Sequence, residues 1–523
     1  MRKILFNANV TTMEDNLYSE AILIEDGIIK DVGTNEEVLE KKDENTEIID
    51  MEKKTILPAF IDSHSHFSAV ANSYLQVSLN NCKSFEEIKD RILEYIKENN
   101  IKKNEWIIAS GYDHNNLKEQ KHPRKDFIDG FVPNNPVVIQ HQSGHVGIFN
   151  TMALELLGVN STTPQIEGGV IEKENESPTG YMEELAFVKY LKMVPMPNID
   201  KLLEGYERAQ NKYLSYGITT LQEGYMSKEL LPLYKALIAS KKLKVDVVGY
   251  PDYASIEEFK NEFPKSYKEY NEHLKIDGLK MILDGSPQGR TAWMKTPYAG
   301  EKEYKGYPNM KIEDIEKNIK YAKENNLQIL AHCNGDAAAE EFIDICERVG
   351  NVEKIRPVII HAQLITKEEL EKAKKLGIMP SFFIAHVYYW GDTHIKNFGL
   401  DRASNISPVK TAINNDMIYT LHQDSPIIEP NMLETIWCAV KRQTKEGKIL
   451  GKDECISVIQ ALKGVTINAA YQYFEENEKG SIKKGKIADL VVLDKDPLKT
   501  ENDEIRNIKV LETIKRGKTL YKL

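Results

Sequence analysis

Eight short apolar runs, separated for the most part by charged stretches of helical periodicity, constrain this chain more than any other feature. The runs are ILPAFIDSH, GITTLQEG, KVDVVGY, DGLKMILDGS, LQILAHCN, PVIIHAQ, GIMPSFF and MIYTLHQDSP. Between them lie stretches such as NKYLSY, IEDIEKNIKYAKENN and TKEELEKAKKLG, in which apolar residues recur at helical spacing. Strand–helix alternation of this kind builds a parallel sheet. Eight strands predict an α/β fold closed as a (β/α)8 TIM barrel, with a doubly wound open sheet as the alternative.

The two ends of the chain read differently. The first 57 residues hold short alternating segments, KILFNANVTTM, SEAILIEDGIIKDVG and TEIIDMEKKTILPAF, broken by turns such as Glu25-Asp26-Gly27, which predict a small antiparallel sheet. GSIKKGKIADLVVLD and IKVLETIKRGKTLYKL repeat that character near the C-terminus. Termini of a domain often lie close together, so residues 1–57 and 479–523 are expected to form one composite β-sandwich, with the barrel over 58–478. Roughly 150 residues separate the first apolar run from GITTLQEG, too many for a plain βα connection. They predict an insertion domain over about 68–200, covering the barrel mouth.

Composition narrows the function. Of 523 residues 41% are apolar, and no apolar run approaches the length of a membrane span. The start, MRKILFNANV, is interrupted by Asn7 and Asn9 and never becomes a signal-peptide core. Five scattered cysteines without a CxxC suit reduced thiols. These features place the protein in the cytoplasm. The net charge of −11 is spread over mixed Lys/Glu helices, which excludes a nucleic-acid partner and leaves a small molecule. No sequence feature decides for or against a homodimer.

Catalytic residues of a barrel sit at the C-terminal ends of its strands. The first run ends in HSH, and because alternate side chains of a strand share a face, His64 and His66 point the same way. The fourth contains Lys280 and ends at Asp284, the fifth ends at His332, the sixth at His361 and the eighth at Asp424. The chain holds 12 histidines, and four of them fall at three strand ends. Together with Asp424 they predict a metal centre, where any one alone would read as a satisfied core histidine. Neutral imidazole and carboxylate suit Zn2+, and also Mn or Fe.

HSH after LPAFID, LKMILDGSPQGRTA, AHCNGD, IIHAQ, HQDSP, TINAA and GSIKKGKIADLVVLDKDP together resemble the amidohydrolase superfamily, in its family-3, YtcJ-like branch related to N-substituted formamide deformylase. The resemblance runs over nearly the whole chain and includes SGHVGIFNTMAL and PTGYMEELA. It implies a barrel hydrolase with a terminal β-sandwich, and two metal ions. On that analogy His64, His66 and Asp424 bind the first ion, His332 and His361 the second, and Lys280, carboxylated by carbon dioxide, bridges both as a carbamate. A bridging hydroxide would attack an amide-type, non-peptide carbon–nitrogen bond, with Asp424 as proton shuttle. Family positions suggest substrate contacts at His145, Arg290, Tyr112 and Asp113, and His386 follows the seventh strand within reach of the pocket. The alternatives are a mononuclear deaminase or cyclic amidine hydrolase, with Lys280 unmodified, and a non-catalytic binding or assembly module. His114, His122, His141, His273, His394 and His422 read as structural or surface residues.

Overall fold

The computed structural model describes residues 2–195 and 197–523. The chain divides into two compact units, one of residues Met1–Ala69 with Ala209–Leu523 and one of Val70–Arg208.

Among the described residues the first unit carries nine parallel strands in two sheets. One has the order Leu274–Ile276, Asp246–Pro251, Ile218–Met226, Phe60–Ile61; the other runs Gly278–Ile282, Gln328–Cys333, Val358–His361, Met379–Phe382, Thr420–Leu421. Neighbours within both are parallel throughout. Their side chains are almost all buried, as expected of strands covered on both faces, which is why the runs read as continuous apolar stretches rather than alternating ones. Leu274–Ile276, in HLKIDGLKM, is an element the eightfold pattern did not include; Asp277 separates it from the strand that carries Lys280. Helices such as Ile312–Glu324 and Lys367–Lys375 alternate with these strands, the latter begun by a capping box between Thr366 and Glu369.

ILPAFIDSH, expected as one strand, is two. Thr55–Pro58 joins the terminal sheet and Phe60–Ile61 joins the parallel one. Ala59, whose N–H donates to Asp489 O, marks the switch. Beyond the strands, Asp424 N–H donates to His64 O and His66 N–H to Ser425 O. The chain after the last parallel strand is thereby stitched to the chain after the first.

Both termini of this unit enter one six-stranded sheet, of order Lys518–Lys522, Val510–Lys515, Leu490–Leu493, Thr55–Pro58, Asn9–Thr11, Tyr18–Ser19. A four-stranded sheet of Ile28–Gly33, Ala21–Glu25, Arg2–Phe6 and Thr46–Asp50 shares its apolar core, in which Leu5, Ile22 and Ile24 pack with Ile56, Leu490 and Ile514. The expected antiparallel arrangement is corrected to a mixed one. Arg2–Phe6 runs parallel to Thr46–Asp50, and Asn9–Thr11 parallel to Thr55–Pro58. The long segments between those pairs allow a crossover that a hairpin turn cannot make.

The second unit is a six-stranded sheet of its own, ordered Gly169–Glu174, Ser177–Glu183, Val146–Phe149, Val137–His141, Ile107–Tyr112, Val77–Ser78. Helix Phe85–Glu98, capped by Ser84, buries Ile88 and Ile92 in a core with Ile107, Tyr112 and Ile139. The long interval between the first two parallel strands therefore holds a folded body with its own core.

Candidate metal centre

The C-terminal ends of the parallel strands bring a set of metal-ligating side chains together. The tightest group is His64, His361 and Asp424, whose donor atoms all lie within 4.8 Å of one another. Asp424 Oδ1 stands 3.5 Å from His64 Nε2 and 3.2 Å from His66 Nε2, and Asp424 Oδ2 stands 4.0 Å from His361 Nε2. His332 joins through Nδ1, 3.1 Å from His361 Nε2, and Lys280 through Nζ, 3.4 Å from His64 Nε2.

Local backbone explains the convergence. Ser63–His66 lies between two partners: Gly224 N–H donates to Ser65 O on one side, and the His66 N–H bond to Ser425 O lies on the other. Gly224 is required there, since a Cβ at that position would lie 2.7 Å from His64 Cε1 and 2.8 Å from Ser65 O. Register sets His361 opposite Cys333 on one side and Phe382 on the other. His361, Ala362 and Asp424 have φ of 75°, 47° and 58°, left-handed values that cost non-glycine residues energy and that cluster at functional sites.

Charge states suit a cation. Burial pushes His64 and His361 well below the ordinary imidazole value and lowers His332 to about 4, so their nitrogens are neutral donors at pH 7. Burial opposes the charge of Asp424, yet the close approach of His66 Nε2, 3.2 Å from Oδ1, leads the interactions that hold it well below the usual carboxylate range. Burial also lowers Lys280 to about 8. Asp424 Oδ1 is a buried acceptor without a hydrogen-bond partner among the described residues. An orphaned anion ringed by neutral imidazoles is costly alone and is the donor set a Zn2+-like ion satisfies, so the residues fit the expected metal.

The structure adds residues that sequence reasoning had left aside. Gln222 Oε1 accepts from His64 Nδ1 at 2.6 Å, while Gln222 Nε2 donates to Ser63 O at 2.8 Å and to Tyr473 Oη at 3.1 Å. That amide can only accept from the imidazole, which leaves the lone pair of His64 Nε2 facing Asp424. His422, read as structural or surface, has Nε2 3.2 Å from His361 Nδ1 and Nδ1 2.8 Å from Ser381 Oγ. The i, i+2 spacing that singles out His64 and His66 also links His422 and Asp424 in HQD. Asp284 stands beside His332, its Oδ1 3.7 Å from Nε2. Its carboxylate accepts from the backbone N–H groups of Asn334, Gly335 and Trp293.

The expected substrate contacts are distributed between the units. In the first unit His386 is buried, with Nδ1 3.1 Å from His394 Nε2 and its ring 4.6 Å from both Phe383 and Trp390. Phe383 in turn lies 5.5 Å from His422 and 6.1 Å from His361, so an aromatic wall adjoins the histidines. Arg290 pairs with Glu301 at 2.9 Å on an exposed loop. In the second unit Tyr112 is fully buried, its Oη 2.8 Å from His122 Nδ1, Asp113 lies beside His114 and His141, and exposed His145 pairs with Glu184. Tyr112 is thus closed to direct contact with solvent.

Known proteins give a consistent picture. The model of a family described as "Amidohydrolase family" matches residues 47–521. YtcJ of Bacillus subtilis (strain 168) is 28% identical over 98% of this chain and 97% of its own length, and the N-substituted formamide deformylase of Arthrobacter pascens is 27% identical over 99% and 98%. A crystal structure titled as an uncharacterized metal-dependent hydrolase from Pyrococcus horikoshii OT3 superposes with a TM-score of 0.79 at 24% identity, over 96% of this chain and 99% of that one. That likeness is one of fold. Among the described residues no helix is long and apolar enough to cross a membrane.

Proposed function

The chain belongs to the amidohydrolase family, and from that premise we propose that it is a metal-dependent hydrolase of an amide-type, non-peptide carbon–nitrogen bond in a small molecule. One observation carries the reading: the buried, unpartnered Asp424 Oδ1 stands within 3.2 to 3.5 Å of His66 and His64 Nε2, at the ends of parallel strands where such enzymes keep their chemistry.

In this reading the two parallel sheets form one closed barrel and the terminal sheets form a β-sandwich. His64, His66 and Asp424 would hold one ion and His332 and His361 a second, with Lys280, as its carbamate, as a further ligand; the protein would act in the cytoplasm. Bound Zn2+ ions would supply a Lewis acid for the carbonyl and a water acidified toward neutral pH. The chain's own residues do the rest. Gln222 fixes the tautomer of His64. Asp424 Oδ1, ionised and with a free lone pair, takes the proton of the attacking water and returns it to the leaving nitrogen, which converts a poor amide leaving group into a free amine. Phe383, His386 and Trp390 offer an apolar surface for the group carried on that nitrogen. The relative named an N-substituted formamide deformylase makes N-formyl derivatives of apolar amines the first compounds to assay.

The test is a joint measurement of metal and activity. Metals per chain are counted by plasma mass spectrometry for the wild type and Lys280→Ala, and both are assayed against a panel of N-formyl and N-acyl amines. Zinc in the wild type, lower metal and activity in Lys280→Ala, and partial rescue by formate or acetate support the reading. Full activity in Lys280→Ala removes the carbamate. Hydrolysis that survives complete metal removal overturns the function.

A further inference from the structure

A second cluster of metal-ligating side chains lies in the unit Val70–Arg208 and shares no residue with the strand-end group of His64, His361 and Asp424. His114 Nδ1 is 3.3 Å from His141 Nε2, which is 3.5 Å from Asp113 Oδ1, which is 3.7 Å from His114 Nδ1. Ligands of a tetrahedral zinc ion with bonds of about 2.0–2.1 Å stand about 3.3–3.4 Å apart. The observed triangle is within a few tenths of an ångström of one face of that tetrahedron.

The triangle is mounted on rigid elements. Strands Ile107–Tyr112 and Val137–His141 are parallel neighbours, and a register shift between Ser110 and Tyr112 brings Tyr112 opposite His141. Asp113 and His114 follow the first strand and His141 ends the second, so side chains 27 residues apart meet at one sheet end. The rings and the carboxylate are also held. Asp113 Oδ2 accepts from Asn116 Nδ2 at 3.0 Å, and Oδ1 accepts from Asn115 N–H at 3.0 Å with Asn115 Nδ2 at 3.1 Å, a side chain that can yield its place to a cation. His122 stacks on His114 with centroids 3.9 Å apart and is itself anchored by Tyr112. Ser143 serves His141 in either state. Its N–H lies 3.1 Å from Nδ1 and donates there when that nitrogen is bare, and its Oγ, at 2.9 Å, accepts when a cation on Nε2 moves the ring proton to Nδ1. Oriented imidazoles and a hydrogen-bonded carboxylate are the outer-shell pattern of metal sites.

We propose that Asp113, His114 and His141 bind a divalent transition-metal ion of the zinc type, with the fourth position open to water or to a further donor. The ion cross-links two strand ends of this unit. The inference concerns a site additional to the strand-end centre and stands or falls separately from the hydrolase reading.

The test counts zinc. Full-length wild type, His114→Ala, His141→Ala and His361→Ala are stripped with a chelator, equilibrated with zinc, desalted and analysed by plasma mass spectrometry. His114→Ala and His141→Ala are each expected to carry one zinc fewer per chain than the wild type, and His361→Ala to retain the zinc that they lose. Equal counts in the wild type and both unit variants overturn the site. Should either variant fail to fold, anomalous scattering at the zinc edge from wild-type crystals decides: a peak about 2.0–2.2 Å from the three donor atoms supports the site, and no peak there overturns it.

Discussion

Gln222 Oε1 lies 2.6 Å from His64 Nδ1 and is fixed in that orientation by its own amide N–H bonds to Ser63 O and Tyr473 Oη. The consequence is a single tautomer for His64, with Nε2 bare and directed at Asp424. Replacing Gln222 by Leu removes the acceptor without adding charge. Metal affinity, measured by competition with a chelator, is expected to fall about 10–100-fold, and Gln222→Glu to restore part of it. Wild-type affinity in Gln222→Leu would show that His64 needs no such support.

Asp424 is the group assigned to move the proton, and Asn is nearly its isostere. Asp424→Asn keeps the imidazoles in place and is expected to retain part of the metal while turnover falls by about 10²–10⁴-fold, the usual worth of a positioned acid–base group. Comparing kcat with metal content separates the two effects. Turnover that falls only in proportion to metal content would leave Asp424 as a ligand alone.

Gly224 leaves space that His64 fills. A methyl group there would meet His64 Cε1 at 2.7 Å and Ser65 O at 2.8 Å, and the second contact is backbone that cannot swing away. Gly224→Ala is expected to cost about 1–3 kcal/mol of stability and to lower metal content, read by denaturant unfolding and mass spectrometry. A fully stable, fully loaded variant would mean that HSH can shift without loss.

Asp246 ties a parallel strand to the C-terminal segments. Its Oδ2 accepts from Lys479 Nζ at 2.9 Å and Lys515 Nζ at 2.6 Å, and Oδ1 is 2.8 Å from His273 Nδ1, with both lysines almost fully buried. Burial opposes its charge, but the two lysines outweigh burial and hold the carboxyl well below its ordinary value. A folded value below the unfolded one contributes stability that is present above about pH 4 and is lost as the pH falls through the folded value. Asp246→Asn is expected to destabilise by about 3–5 kcal/mol near neutrality. The gap in Tm between wild type and variant should shrink as the pH is lowered below about 4, and a gap independent of pH would refute the linkage.

Much of the strand-end chemistry can be read along the chain, because side-chain alternation in a strand has a period of two and is a local property. His64 and His66 are expected to share a face on that ground, and the structure brings both Nε2 atoms to Asp424 Oδ1 even though the strand itself ends at Ile61. The same rule in HQD pairs His422 with Asp424, and His422 does face His361. The parallel αβ order was legible for a similar reason: buried strands are continuously apolar and the helices between them are amphipathic.

Other features depend on neighbours distant in sequence. ILPAFIDSH is continuous in composition, but Asp489 on one side and Gly217 on the other take its backbone into different sheets at Ala59. Gln222 is one of many polar residues near strand ends until His64 is set beside it 158 residues away. Asp113, His114 and His141 look like unrelated loop residues until a register shift aligns two strand ends. Periodicity tells which way a side chain points from its own strand; which side chain it then meets depends on strand register and packing over long sequence separations, and a metal site consists of those meetings.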